Sequence, residues 1–292
     1  MKKTRYQKPL KTSILPLTRK FYLKDRQFCR ASLCRTKGLS YLMLTLIIWM
    51  FTCLYMFSVN AKAGIATIEH ADQVFLNYDK DISNIQKAID LYNQVIKENT
   101  NAKILSIAYA KISMAYLTMG DFSSLNHTDP LKDYEAGKIA AQKAISLDPE
   151  NSDAYFWYAG NLGRMAQLKN FMAALFILPE FKKYLAKAYE LNPDSLFVLE
   201  AYAEFYYQLP RPFGGSYAKS IEFAKKALKI DPHYTMPYTT LAKVYISEDK
   251  YDIAKQLLEK VIHFKDPSYR AGWIMYDKPL AQKLYNSIEN KK

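Results

Sequence analysis

Side chains able to do chemistry are thinly spread along this chain. Its four histidines, His70, His127, His233 and His263, stand apart, in neither a His-Glu-x-x-His pair nor another metal spacing. The three cysteines, Cys29, Cys34 and Cys53, all precede residue 60. That excludes a disulfide-stapled scaffold and, beyond residue 60, thiol catalysis or cysteine-bound zinc. No Gly-x-Ser-x-Gly elbow is present, and the carboxylates form no recognisable catalytic pair. Gly214-Gly215, in the loop 210–216, lacks the Lys-Ser/Thr that would make it a phosphate cradle. The expectation is a protein that is not an enzyme and needs no cofactor or metal.

What remains is the chemistry of binding. Trp157 and Tyr207 fall off the register of the helical core described below, so they are candidates for an open face. Asn161 and Arg164 flank Leu162-Gly163, where the missing side chain admits a backbone or ligand and Arg164 can meet an anion. Residues 171–178, FMAALFIL, carry no charge. They read either as a helix packed over a neighbouring repeat or, through Phe171 and Phe176, as an apolar ligand lining or oligomer contact. Phe213 is a further contact residue in its turn-rich loop.

Charge separates a leader from a body. The 292 residues carry 41 Lys+Arg and 28 Asp+Glu, a formal net charge of +13. Residues 1–38 hold 12 of the basic residues and one acid, Asp25, so the rest of the chain is nearly neutral. A basic nucleic-acid groove is therefore not expected. The flank 1–38 is expected to be disordered. Residues 39–59 then contain no charged side chain, a run long enough for a helix to span the ~30 Å hydrocarbon core. The basic side would stay in the cytoplasm and the body would be exported. Ala61-x-Ala63 fits a signal-peptidase site. Two outcomes stay open for 39–63: a cleaved signal peptide leaving a periplasmic or extracytoplasmic body, or an inner-membrane anchor that keeps membrane contact.

The elements that must position the candidates are helical. Asp148-Pro149, Asn192-Pro193 and Asp231-Pro232 each have an alanine five residues before the proline (Ala144, Ala188, Ala227) and ten after it (Ala159, Ala203, Ala242). Small side chains at fixed offsets let helix backbones approach, and large neighbours such as Tyr158, Leu199 and Leu241 fill the space between. This is the pattern of the roughly 34-residue tetratricopeptide repeat. A second unit shows Tyr109, Ile112, Ser113 and Tyr116; a weaker first unit shows Ala71, Phe75, Tyr78, Ala88, Tyr92 and Val95. The fold class is therefore all-α: a tetratricopeptide-type α-solenoid over 64–292, of about five helix pairs, preceded by the apolar helix. Residues 277–290 are expected to cap its exposed end. Steps of 46, 44 and 39 residues between successive Ser113, Ala159, Ala203 and Ala242 imply insertions inside the pairs, at one edge of the solenoid.

Two stretches, residues 153–168 (DAYFWYAGNLGRMAQL) and 199–234 with its Pro-x-x-x-Gly-Gly insertion, resemble the T-component family of TRAP transporters. The resemblance runs over roughly residues 85–288. It implies an exported, non-catalytic helical protein with apolar pores that forms a homo-oligomer. It also implies a protein partner, the substrate-binding component of an uptake system, and a small apolar or organic-acid ligand. The same segments resemble more loosely the repeat domain of eukaryotic regulators of microtubule dynamics. A general envelope adapter that grips a protein segment is the alternative.

Overall fold

A computed structural model describes residues 61–125 and 128–291, together with Met43, residues 46–52 and Tyr55. The basic flank, most of the apolar run, the three cysteines and His127 lie outside the described residues. Residues 46–52 of the run are helical. Among the described residues no helix is long and apolar enough to cross a membrane. The chain divides into residues 1–59 and residues 60–292, and the second unit holds the repeats.

Among the described residues of that unit, ten helices pair in sequence. They are α1 (residues 61–75) with α2 (Ser83–Glu98), α3 (Ala102–Leu125) with α4 (Leu131–Leu147), α5 (Ser152–Gln167) with α6 (Phe171–Leu191), α7 (Leu196–Gln208) with α8 (Tyr217–Ile230), and α9 (Met236–Ser247) with α10 (Tyr251–Ile262). No strand occurs among the described residues. The architecture is the expected tetratricopeptide-type solenoid of five pairs. Ala61 and Ala63 of the Ala61-x-Ala63 pattern are both helical.

Local chemistry sets the boundaries. Asp148, Asn192 and Asp231 end α4, α6 and α8 with ψ near 90–100°, because a following proline disfavours the helical region. Asn151, Asn170 and Ser216 start α5, α6 and α8 by accepting a hydrogen bond from the backbone N–H three residues on. Ala144, Ala159, Ala188, Ala203, Ala227 and Ala242 are all buried, where helices cross. The first unit closes equally well, with Phe75, Tyr78, Tyr92 and Val95 in its core. The insertions appear largely as longer helices: α3 has 24 residues and α6 has 21.

The C-terminal segment does more than cap. It runs through α11 (Arg270–Gly272), a π-helical turn (Trp273–Asp277) and α12 (Lys278–Ile288). Ala281, Leu284 and Ile288 pack against the last pair, as a cap requires. The start of the segment instead joins the core of the first pair, through Ala271, Tyr269, Met275 and Tyr276. Arg270 also pairs with Asp79. The segment is thus a strap that ties the last repeat to the first, a contact 191 residues apart in sequence that no local pattern announces.

Candidate functional site

The strap turns the concave face into a chamber. A cavity of about 780 Å³ lies between the strap and the inner helices α3, α5, α7 and α9, with the N-terminal half of α6 as a further wall. Its size falls in the range of ~300–1,000 Å³ usual for small-molecule sites. Most of the lining is apolar or aromatic: Met114 and Leu117 from α3, Leu175, Leu178 and Phe181 from α6, Phe205 from α7, and Met275 from the strap.

Aromatic rings gather at one end. Phe197 is central, with ring centroids of Phe156, Trp157, Tyr234 and Tyr269 at 5.9, 5.4, 6.0 and 6.2 Å. All five border the cavity. They come from α5, α7, the turn before α9, and the strap, so only the closed solenoid assembles them.

Two polar groups interrupt the apolar wall. In the first, Asp121 accepts from Arg164 Nη2 at 2.8 Å and from the Tyr134 hydroxyl at 2.8 Å. Arg164 Nη1 donates to Gln167 Oε1 at 3.2 Å. Burial, and then the Asp121 charge, push the Tyr134 phenol above its ordinary range. Every charge in this group has a partner of opposite sign.

The second group does not balance. Lys243 Nζ bonds both oxygens of Glu204, at 2.9 and 3.1 Å. Burial opposes ionisation of Glu204, but the Lys243 ammonium prevails and holds its carboxyl below the ordinary range. Glu200, one helical turn earlier, is 4% exposed. Its Oε1 accepts from Thr240, and its Oε2 has no partner among the described residues. Burial pushes the Glu200 carboxyl well above the usual range, and the nearby Glu204 charge adds to the shift. Asp277 accepts from Thr235 at 2.6 Å, and burial raises it to about 6. The hydroxyls of Thr239 and Tyr276, both at the cavity, also lack a partner among the described residues.

The residues singled out from sequence are divided by this geometry. Trp157 and Arg164 line the cavity. Arg164 already has Asp121 as its counterion, so it does not stand there as a free cation for an anionic ligand. Asn161 is fully buried. It donates to Ser113 Oγ at 3.0 Å and the Trp157 carbonyl at 2.8 Å, and it lies so close to Gly137 that a Cβ there would collide with its Oδ1. Asn161 therefore knits α3, α4 and α5 together. Tyr207 stacks on Tyr217 at 6.1 Å, and Phe213 sits in the 3-10 turn Arg211–Phe213, 40% exposed. Phe171 is the first residue of α6. The uncharged stretch serves two surfaces: Ala174, Leu175, Ile177 and Leu178 line the cavity, whereas Met172 and Phe176 point to solvent, Phe176 at 83%.

Sequence reading missed Glu200, Thr239, Tyr276 and Asp277. One signal was available for Glu200. With Glu204 it makes two acids four residues apart, on one face of a helix that has no other charge.

Among the described residues no group of three His, Cys, Asp or Glu side chains could hold a metal. The family model for regulator of microtubule dynamics protein 1-3 matches residues 67–211, just under half of the chain. No curated protein matches the chain. A thermophilic TPR protein of Thermus thermophilus is similar in structure, with a TM-score of 0.53 at 15% identity, covering 72% of this chain and 97% of that one. Pseudomonas aeruginosa PilF gives a TM-score of 0.48 at 16% identity, covering 79% of this chain and 92% of PilF. YrrB, a TPR protein with an unusual peptide-binding site, gives 0.39 at 16% identity, covering 73% and 89%. The first of these similarities supports the tetratricopeptide fold.

Proposed function

We propose that this chain is a non-catalytic binding protein whose strapped solenoid holds a small, largely apolar ligand in its central cavity. The observation that carries the reading is the closure. An open tetratricopeptide groove presents its concave face to a peptide, whereas here residues 269–277 cross that face and leave a partly open cavity of about 780 Å³. The finer reading, assistance to solute uptake in the manner of a TRAP T-component with its substrate-binding component as partner, is supported by this apolar chamber and by the sequence resemblance. The proposed setting is extracytoplasmic, on the strength of the basic flank followed by the apolar run.

The test is native mass spectrometry of the full chain, released from amphipol, beside Ala201→Phe. Ala201 borders the cavity and is only partly buried, so the larger ring would occupy the ligand's space. The expected result is a co-purified small molecule in the parent and none in the variant, at an unchanged melting temperature. An empty parent that instead captures a peptide would refute the reading.

A second reading has its own observation. Met172 and Phe176 lie four residues apart on one face of α6 and are 63% and 83% exposed. That is a surface for a protein partner or a second copy. Phe176→Asp would abolish such an assembly and leave the cavity ligand in place.

A further inference from the structure

The chamber has a chemical preference built into its second polar group. Its carboxyls and cations do not match. Asp121 has Arg164, and Glu204 has Lys243. Glu200 and Asp277 have hydroxyls as partners but no cation of their own among the described residues. Both are almost wholly buried, at 4% and 6% exposure. Glu200 borders the cavity, and its buried Oε2 has no partner among the described residues. A buried polar atom left unpaired is expensive, by ~1–3 kcal/mol. Such atoms are uncommon in native proteins and call for an explanation.

The rings supply the second half of the pattern. Phe197, Trp157, Tyr234 and Tyr269 border the same cavity as Glu200 and Asp277. The faces of aromatic rings are negative and attract cations, most strongly where water is excluded. Carboxyls without a cation and a group of ring faces ask for the same thing: positive charge carrying N–H donors. Beside Glu200 and Asp277 an anionic headgroup would meet the reverse of its needs: Arg164 and Lys243 are already paired, and Lys283, which also borders the cavity, is exposed.

Resting on the cavity-binding reading above, we infer that the chamber selects a protonated aliphatic amine. Its apolar body lies against the α3 and α6 wall, its ammonium donates to Glu200 Oε2, and Phe197 and its ring neighbours surround the charge. Binding then changes a protonation state. Burial favours the neutral form of the Glu200 carboxyl in the empty chamber, while Glu204 and Asp277 add negative charge nearby and Lys243, Thr240 and Tyr234 complete its surroundings. An entering ammonium stabilises the carboxylate, so Glu200 gives its proton to solvent. The charge of the amine is balanced, and the proton held by the neutral carboxyl leaves as the amine binds.

Isothermal titration of the full chain in amphipol with octylamine, octanol and octanoate tests this on three probes of one chain length. The amine is expected to bind at least about tenfold tighter than the alcohol, and the carboxylate weakest. Titration in buffers of different ionisation enthalpy should show proton release with the amine and none with the alcohol. Glu200→Gln should remove both the amine preference and the proton release, and leave octanol binding within about twofold. The proton count uses the unaltered protein, so it stands even if the variant folds poorly. Equal binding of amine and alcohol, or amine binding with no proton release, overturns this inference and leaves the cavity reading intact. Failure of all three probes overturns both.

Discussion

The two polar groups in the chamber wall are built from similar residues and behave as opposites. Around Asp121, a carboxylate, a guanidinium and a phenol satisfy one another at 2.8 Å. Around Glu200 and Asp277, two buried carboxyls have hydroxyl partners, and one oxygen has no partner among the described residues. The first arrangement is complete in the protein alone, and it ties α3, α4 and α5 together. The second is complete only with something added. Within one cavity, unsatisfied capacity distinguishes a ligand contact from a structural one better than residue type does. Arg164, which looks the more chemical in sequence, belongs to the structural side.

The widest separation between the groups should be in pH dependence. Burial raises Asp277 from 3.8 to about 6. For an acid with a raised folded pKa, the native state holds the proton longer than the unfolded chain does. Its stabilising contribution is complete below the unfolded pKa and is lost as pH climbs to the folded one. The shift corresponds to roughly 3 kcal/mol lost between about pH 4 and pH 6. Asp277→Asn keeps an acceptor for Thr235 and has no proton to lose. Denaturation midpoints should therefore coincide for parent and variant near pH 4, and the variant should lead by up to that amount above pH 6. Parallel curves would show that Asp277 is not the strained acid of this wall.

Breaking the balanced group should cost less but at all neutral pH values. Arg164→Met removes the counterion of Asp121, whose side chain is 14% exposed, and leaves it the Tyr134 hydroxyl alone. Arg164 is itself 42% exposed, at the edge of the cavity, so water can replace part of what is lost. A destabilisation of about 2 kcal/mol is expected from urea unfolding. Ligand capture should persist, and a variant that folded normally but lost its ligand would move Arg164 to the binding side of the comparison.

The repeat was legible in sequence because its cause is local. Ala144 and Ala159, or Ala188 and Ala203, sit at fixed offsets from a proline, and each is buried where its neighbours require. Trp157 also departs from that register; it borders the cavity but is buried, packed against Phe156 and Phe197. The strap was not legible. Residues 277–290 show an amphipathic helix and so predict a cap, but the reach of Arg270 to Asp79 depends on the summed curvature of five helix pairs. The π-helical turn that brings Tyr276 and Asp277 to the cavity has no periodicity to betray it. Without the strap that side of the cavity has no wall, and without the wall Glu200 is one more acid on a helix.

The smallest effect is the most informative. Glu200→Gln is nearly isosteric and keeps a carbonyl oxygen for Thr240, so the hydrogen bond that orders the wall is retained. If Glu200 were a structural acid like Asp121, losing its charge would cost about as much as losing Arg164. If it is held neutral by burial, the amide replaces a carboxyl that was already uncharged, and the apo protein should change by no more than about 0.5 kcal/mol at neutral pH. Urea unfolding of the ligand-free chain measures this directly. A loss near 2 kcal/mol would make the two groups equivalent and remove the basis for separating them. A near-neutral result, set against the loss in Arg164→Met, would leave Glu200 as a group that contributes little to folding and whose unpaired oxygen is accounted for by what enters the chamber.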